Sequence, residues 1–446
     1  MALIELSTDQ PVAASAPALP AYRYRVFGLV LAAVLVLALA GAVPAVAVFW
    51  QRTGLIPVPA AADFEVVGGR LFTLEVANGR RVTSAWTMQP LRRLWRVSTT
   101  AEEISGGLLQ GGSSVSVAGD LVLLRAGPTT TVLDAHTGAV RWTSALPVSP
   151  LTTTIGMVQD EQFRSGTEYD ESSGAPGQLF FSSAGLPHTE PPLRTDLTGV
   201  DLATGKPIWT AQFAGSIYPT RARGRADAVV VVASDQLWLR SSGTGEVLQA
   251  RPLPKAPDGG SSWGDVVGNL LLLRHTKDTG NIVTAYAMDT LEPRWQRTEP
   301  DDPGNSASCL GLTCEKARHD LVVLDPATGA PRWRTDGEVD LQAGAGYALE
   351  VQTGQSRPLR AVDIASGATQ VDLSGWQTFA VGPAAGPVVL SRRVAGKGTA
   401  FGVLLPGRRV VQPLGVTSTP VTDCYSDTRY VACRAATGVE VFSYAA

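Results

Sequence analysis

Residues 132–142 read VLDAHTGAVRW, residues 199–209 read GVDLATGKPIW, and residues 322–333 read VVLDPATGAPRW. Each is an apolar strand, a turn of the form Asp-x-x-Thr-Gly, and a returning strand that ends on Trp. The Asp at the strand end accepts hydrogen bonds from the turn's N–H groups, and the Gly supplies the positive φ of a tight hairpin. The Trp offers a broad apolar face. One hairpin cannot bury that face alone, so the copies must stack, and radial stacking of four-stranded sheets makes a β-propeller.

Weaker copies follow the same plan: LRSSGTGEVL at 239–248, AMDTLEPRW at 287–295 and AVDIASGATQV at 361–371, with LLPGRRVV at 404–411 more degraded. Return strands then fall near Trp95, Trp142, Trp209, Leu248, Trp295, Trp333, Val371 and Val411. Their spacing averages about 45 residues, the length of a propeller blade. The expectation is an all-β chain whose residues 63–446 form an eight-bladed propeller of four-stranded antiparallel blades. Seven blades is the alternative, because the weakest copies fall short of a full blade. Ring closure is expected by pairing the Trp95 strand with the C-terminal piece 421–446, hiding both free edges. Asp134, Asp201, Asp325 and Asp363, with Gly138, Gly205, Gly329 and Gly367, are read as turn residues, and Asp289 as a further repeat Asp. Trp95, Trp142, Trp209, Trp295 and Trp333 are read as blade-docking residues.

The composition agrees with many short strands and turns: 46 Gly and 30 Pro, with only 17% charged residues, do not suit charged-surface helices. A net charge of −3 argues against a nucleic-acid partner, which would need a clustered basic face.

Val26 to Trp50 carry no charged side chain. As a helix the segment would span roughly 37 Å at 1.5 Å per residue, enough to cross a hydrocarbon core of about 30 Å. Arg23 and Arg25 precede it and Arg52 follows, so the positive-inside tendency places residues 1–25 as a cytoplasmic tail. Residues 26–50 are then a single transmembrane helix, residues 51–62 a linker, and the propeller lies outside the cell membrane. Ala45-Val46-Ala47 leaves signal-peptidase cleavage open as an alternative. Either way the C-terminal domain is exported.

Four cysteines suit that compartment. Cys309 lies close to Cys314, and Cys424 close to Cys433, each pair ahead of a strand-like run. Two local hairpin disulfides are expected. Neither pair is C-x-x-C and no His cluster accompanies them, which argues against a metal site.

The motif A-x-D-x-x-T-G-x-x-x-W resembles the repeat of pyrroloquinoline-quinone (PQQ) enzymes. Across residues 63–446 the chain looks like a membrane-anchored, PQQ-like β-propeller protein of the actinobacterial type. That resemblance implies the fold and leaves two function classes. Quinoprotein dehydrogenases hold their cofactor with calcium, and many also have an adjacent-cysteine disulfide, which this sequence lacks. The other class is non-catalytic, such as the propeller lipoprotein of outer-membrane barrel assembly, from which this chain departs by having no lipid-bearing Cys. The expectation is a scaffold without cofactor, metal or catalytic residues, binding an envelope protein or ligand. The alternatives are a reduced PQQ-dependent dehydrogenase and a ligand-binding sensor acting through a membrane partner.

Other candidate chemistry is thin. Gly260-Ser261-Ser262-Trp263-Gly264 matches G-x-S-x-G but lacks the strand–turn–helix setting of a nucleophile elbow. His136, His188, His275 and His319 have no ligand spacing, and Arg221, Arg223 and Arg225 read as a charged blade edge. The interval from Trp142 to Trp209 exceeds a blade, and its excess carries Asp160, Glu161, Glu168, Asp170 and Glu171. Long excursions often hold binding specificity, so this acidic loop is the candidate partner-binding site.

Overall fold

The computed structural model describes residues 49–100, 114–170, 172, 174, 175, 177–253, 263–277, 280–299, 307–380, 382 and 386–445. Residues 26–48 of the expected membrane helix, Glu171, and Gly260 to Ser262 lie outside the described residues, while Phe49 and Trp50, expected at the helix end, are strand. Among the described residues, no helix is long and apolar enough to cross a membrane.

Nine antiparallel sheets follow one another as blades, where seven or eight were expected. Blade 1 comprises Asp63–Val67, Arg70–Ala77, Arg80–Met88 and Leu91–Thr100; blade 2 runs from Ser114 to Ser144. Blade 3 comprises Val148–Pro150, Ile155–Gln162, Arg194–Asp201 and Pro207–Ala214. Blades 4 and 5 run from Tyr218 to Pro252 and from Trp263 to Glu299. Blade 6 keeps three strands, Cys314–Lys316, Leu321–Leu324 and Pro331–Arg334. Blade 7 runs from Val339 to Asp372, and blade 8 comprises Thr378–Phe379, Val388–Val394, Gly398–Leu404 and Gln412–Thr417.

Blade 9 is the one the sequence hid. Thr422–Ser426, Tyr430–Ala435 and Gly438–Ala445 supply three strands, and the fourth comes from Phe49–Ile56. That strand pairs Trp50 with Tyr444 and Ile56 with Val439. The Trp95 strand therefore does not close the ring; it completes blade 1. Residues 49–56, read as the end of the apolar stretch and a linker, are the closing strand. Counting Trp strands missed it because the closing strand lies at the opposite end of the chain from its partners.

The core is a set of apolar layers between consecutive sheets. Phe72, Leu74 and Trp95 of blade 1 meet Val122, Leu124 and Leu133 of blade 2. At closure, Phe401 and Val403 of blade 8 meet Val431, Cys433 and Tyr444 of blade 9, with Trp50 against them. Ile56 and Val441 then meet Phe64 and Leu71 of blade 1. Trp50 stacks on Phe442 at 4.7 Å, leans on Phe401 at 4.9 Å, and presses its ring on Gly415.

Where a blade has four strands, they run up, down, up and down. Turns joining strands one to two and three to four therefore lie on one face of the ring. The hairpins joining strands two to three lie on the other.

The Asp-x-x-Thr-Gly turns all join strands three and four, and each receives the Trp of the preceding blade. The Nε1 atoms of Trp95, Trp142, Trp209, Trp295 and Trp333 donate to the carbonyl oxygens of Ala135, Leu202, Ser242, Pro326 and Ile364, at 2.7–3.0 Å. In four turns this is the residue after the Asp; in blade 4, Ser241 stands in the Asp position. The turn glycine, Gly138, Gly205, Gly245, Gly329 or Gly367, has φ between 69° and 72°. A Cβ there would come within 2.6–2.7 Å of the docked indole. Gly is thus required twice, by φ and by the ring.

The copy at 287–295 is the informative exception. Blade 4 has no Trp on its last strand, and Leu291 takes the glycine position with φ 52°. It is fully buried and fills the space with its own side chain. Ala287, not Asp289, holds the Asp position, since Leu291 N donates to Ala287 O at 2.7 Å. Asp289 is two residues late for the repeat.

Both disulfides are formed, Cys309–Cys314 and Cys424–Cys433. The second joins directly paired residues of the blade 9 hairpin. The first does not sit in a regular hairpin. Cys309–Leu310, at the place of blade 6's missing first strand, pairs in parallel with blade 7 through Leu341 and Gln342. The bond ties that displaced strand to Cys314, the first residue of the blade 6 sheet.

Candidate functional site

The turn carboxylates are spread around the ring, as their repeat spacing requires. Asp134 Oδ1 accepts from the N–H groups of His136 and Thr137 and from the Thr137 hydroxyl, while Oδ2 takes the Arg141 guanidinium at 2.7 Å. Asp325 is bracketed alike by Ala327, Thr328 and Arg332, and Asp363 by Ala365, Ser366 and Gln370. Asp201 accepts from the Thr204 N–H and hydroxyl, both at 2.8 Å. The Arg141 guanidinium holds the Asp134 carboxyl well below the usual carboxylate range, and Arg332 does the same for Asp325. For Asp363 the Ser366 hydroxyl is the main cause.

A carboxyl whose folded value is depressed contributes stability that is present above the unfolded value and lost as pH falls through the folded one. Thermal melting should therefore drop as pH falls below about 4, the ordinary Asp value. The triple variant Asp134→Asn, Asp325→Asn, Asp363→Asn should be less stable at pH 7 yet show a flatter acid limb. Parallel acid limbs for the two chains would refute this role.

Among the described residues, no three His, Cys, Asp or Glu side chains are grouped so that they could hold a metal ion.

The long excursion belongs to blade 3. Its second and third strands, Ile155–Gln162 and Arg194–Asp201, pair along their whole length, from Ile155 with Asp201 to Gln162 with Arg194. The chain between them, 163–193, carries a small hairpin, Phe180–Phe181 with Pro187–His188. Because it joins strands two and three, it lies on the face opposite the Asp-x-x-Thr-Gly turns.

Its internal structure is specific. The Phe163 ring stacks on His188 at 3.7 Å with planes 5° apart. Thr167 Oγ1 lies 3.1 Å from His188 Nδ1, and Glu168 forms a backbone bridge to His188. Burial pushes the imidazole's pKa down, with Glu168 opposing, so the neutral ring is favoured. Arg164 pairs with Glu190 at 3.4 Å.

The acidic residues do not form one array. Glu161 accepts from Ser183 N at 2.7 Å and Ser183 Oγ at 3.0 Å, fastening the excursion to the blade. Asp160 accepts from Gln162, and Asp170 caps the turn at Ser172 N. Glu168 sits at the bridge. Beside the exposed Arg164, Glu168 and Asp170, the excursion also leaves three large apolar side chains in solvent: Phe181, Leu186 and Leu193 are 41%, 50% and 57% exposed. Charge drew attention to this loop, and the structure adds an exposed hydrophobic element to it. The signal in sequence was LFFSSAGLP at 179–187, apolar flanks around a small-residue turn.

No protein-family model matches the chain, and no curated protein does. Among solved structures the chain is similar to BamB from Moraxella catarrhalis, at 14% identity, covering 88% of this chain and 99% of that one, with a TM-score of 0.41. It is similar also to a europium-containing methanol dehydrogenase, at 12% identity, 77% and 85% coverage and a TM-score of 0.42. A third is dihydro-heme d1 dehydrogenase NirN, at 15% identity, 82% and 78% coverage and a TM-score of 0.42. At these values the likeness says nothing about activity. The chain is a nine-bladed β-propeller.

Proposed function

We propose that this chain is a non-catalytic recognition platform at the cell envelope, anchored by the apolar residues that precede the closing strand Phe49–Ile56 and binding a protein partner through the blade 3 excursion. The observation that carries the reading is the excursion itself. It is held by a stacked ring pair and a Glu161 clamp, yet it leaves Phe181, Leu186 and Leu193 in water. Exposed apolar side chains on an ordered projection are what a partner's surface covers. The two disulfides suit an exported domain.

The rival is a PQQ-dependent dehydrogenase. Calorimetric titration of the full chain in detergent with PQQ and Ca²⁺ separates the two. The platform reading expects no saturable heat; one-to-one binding would replace it with the dehydrogenase.

A further inference from the structure

The closing strand, Phe49–Ile56, is the fourth strand of blade 9, and it starts where a third-to-fourth turn would be. The chain therefore joins the ring on the Asp-x-x-Thr-Gly face, at the rim. In sequence, the apolar stretch leads directly into this strand.

The charged side chains on that face near this point are mostly arginines. Blade 8's third-to-fourth turn holds Arg408 and Arg409, followed by Val410, which is 61% exposed. Blade 9's first-to-second turn holds Arg429. Blade 1 adds Arg70 after its first turn, and Arg92 and Arg93 at the head of its last strand. None of these six forms a salt bridge with a carboxylate among the described residues. The one carboxylate among these turns, Asp427, accepts from the Arg429 and Tyr430 N–H groups. Elsewhere on the face the signs mix: Asp120, Asp134, Asp227, Glu246 and Asp325 stand among Arg141, Arg225 and Arg332.

We propose that this sector of blades 8, 9 and 1 is a docking surface for an anionic lipid bilayer. It holds the Asp-x-x-Thr-Gly face toward the membrane and turns the blade 3 excursion away from it. The inference rests in part on the membrane attachment proposed above. Arginines facing anionic headgroups gain attraction that decays within a Debye length, and an exposed Val beside them suits the interface.

All four cysteines are disulfide-bonded, so an introduced thiol is unique. Full-length Thr428→Cys and Leu186→Cys chains, each carrying a fluorophore, are reconstituted into phosphatidylcholine vesicles with or without phosphatidylglycerol. Both vesicle types contain a nitroxide headgroup lipid. The label at residue 428 should be quenched at least threefold more than that at 186 in anionic vesicles. The difference should shrink in 0.5 M salt, in pure phosphatidylcholine, and in the Arg408→Glu, Arg409→Glu, Arg429→Glu variant. Equal or reversed quenching, or no dependence on lipid charge, overturns the docking surface. Alkaline carbonate extraction reports the anchor separately. Release from both vesicle types would refute the anchor, while charge-dependent quenching at 428 would still uphold the surface.

Discussion

A chain that starts after Ile56 should lose cooperative folding. Removing Phe49–Ile56 leaves blade 9 with three strands and an open edge. It also removes Trp50 from its stack on Phe442 and takes away the fully buried Ile56. Trp50 is half-buried, so its loss costs up to about 3 kcal/mol, and loss of the buried Ile56 adds about 2–5 kcal/mol. The strand's ladder to Gly438–Ala445 is lost besides. Against a typical net stability of about 5–15 kcal/mol, that sum is ruinous. Thermal unfolding followed by near-ultraviolet circular dichroism would show a broad, early transition in the truncated chain. An unchanged melt would mean that the ring closes without this strand.

The second large effect is local. Gly329→Ala should destabilise the ring far more than Gly407→Ala, although both positions have positive φ, 69° and 71°. At Gly407 an added methyl meets nothing within 4 Å, so the cost is the left-handed backbone alone, about 1–2 kcal/mol. At Gly329 the methyl would stand 2.6 Å from the Trp295 ring, which also donates to Pro326 O. Overpacking adds about 1–3 kcal/mol to the backbone term. Denaturant melts of the two variants measure the difference. Equal midpoints would show that the indole does not dock on the turn in solution.

These two cases mark what the sequence could and could not reveal. The Asp-x-x-Thr-Gly turn and its Trp were legible because each answers a local demand: positive φ, unsatisfied turn amides and a large apolar face. The return strands at Trp142, Trp209 and Trp333 were therefore placed by their residues. What they could not reveal was the partner of the last piece. Phe49–Ile56 becomes a strand only because Gly438–Ala445, at the far end of the chain, offers it an edge. In isolation FWQRTGLI continues an apolar stretch. Blade 1 was likewise obscured, since its last turn, Met88 to Leu91, contains no Asp-x-x-Thr-Gly.

The candidate site was legible in position but not in character. Excess length between Trp142 and Trp209 located the excursion, and composition drew attention to its carboxylates. Glu161 and Asp170 prove to hold the loop's own backbone. The ring stack of Phe163 on His188 joins residues far apart in the loop, so no local pattern announces it.

The most direct test of the recognition reading is site-specific photocrosslinking in native membranes. A benzoyl-phenylalanine placed at residue 181 is compared with one at residue 140, where Val140 is 55% exposed on the outer strand of blade 2. The account predicts a discrete adduct from position 181 and none from 140, with the 181 adduct lost when Leu186 is changed to Asp. No adduct from 181, or the same adducts from both positions, would contradict it.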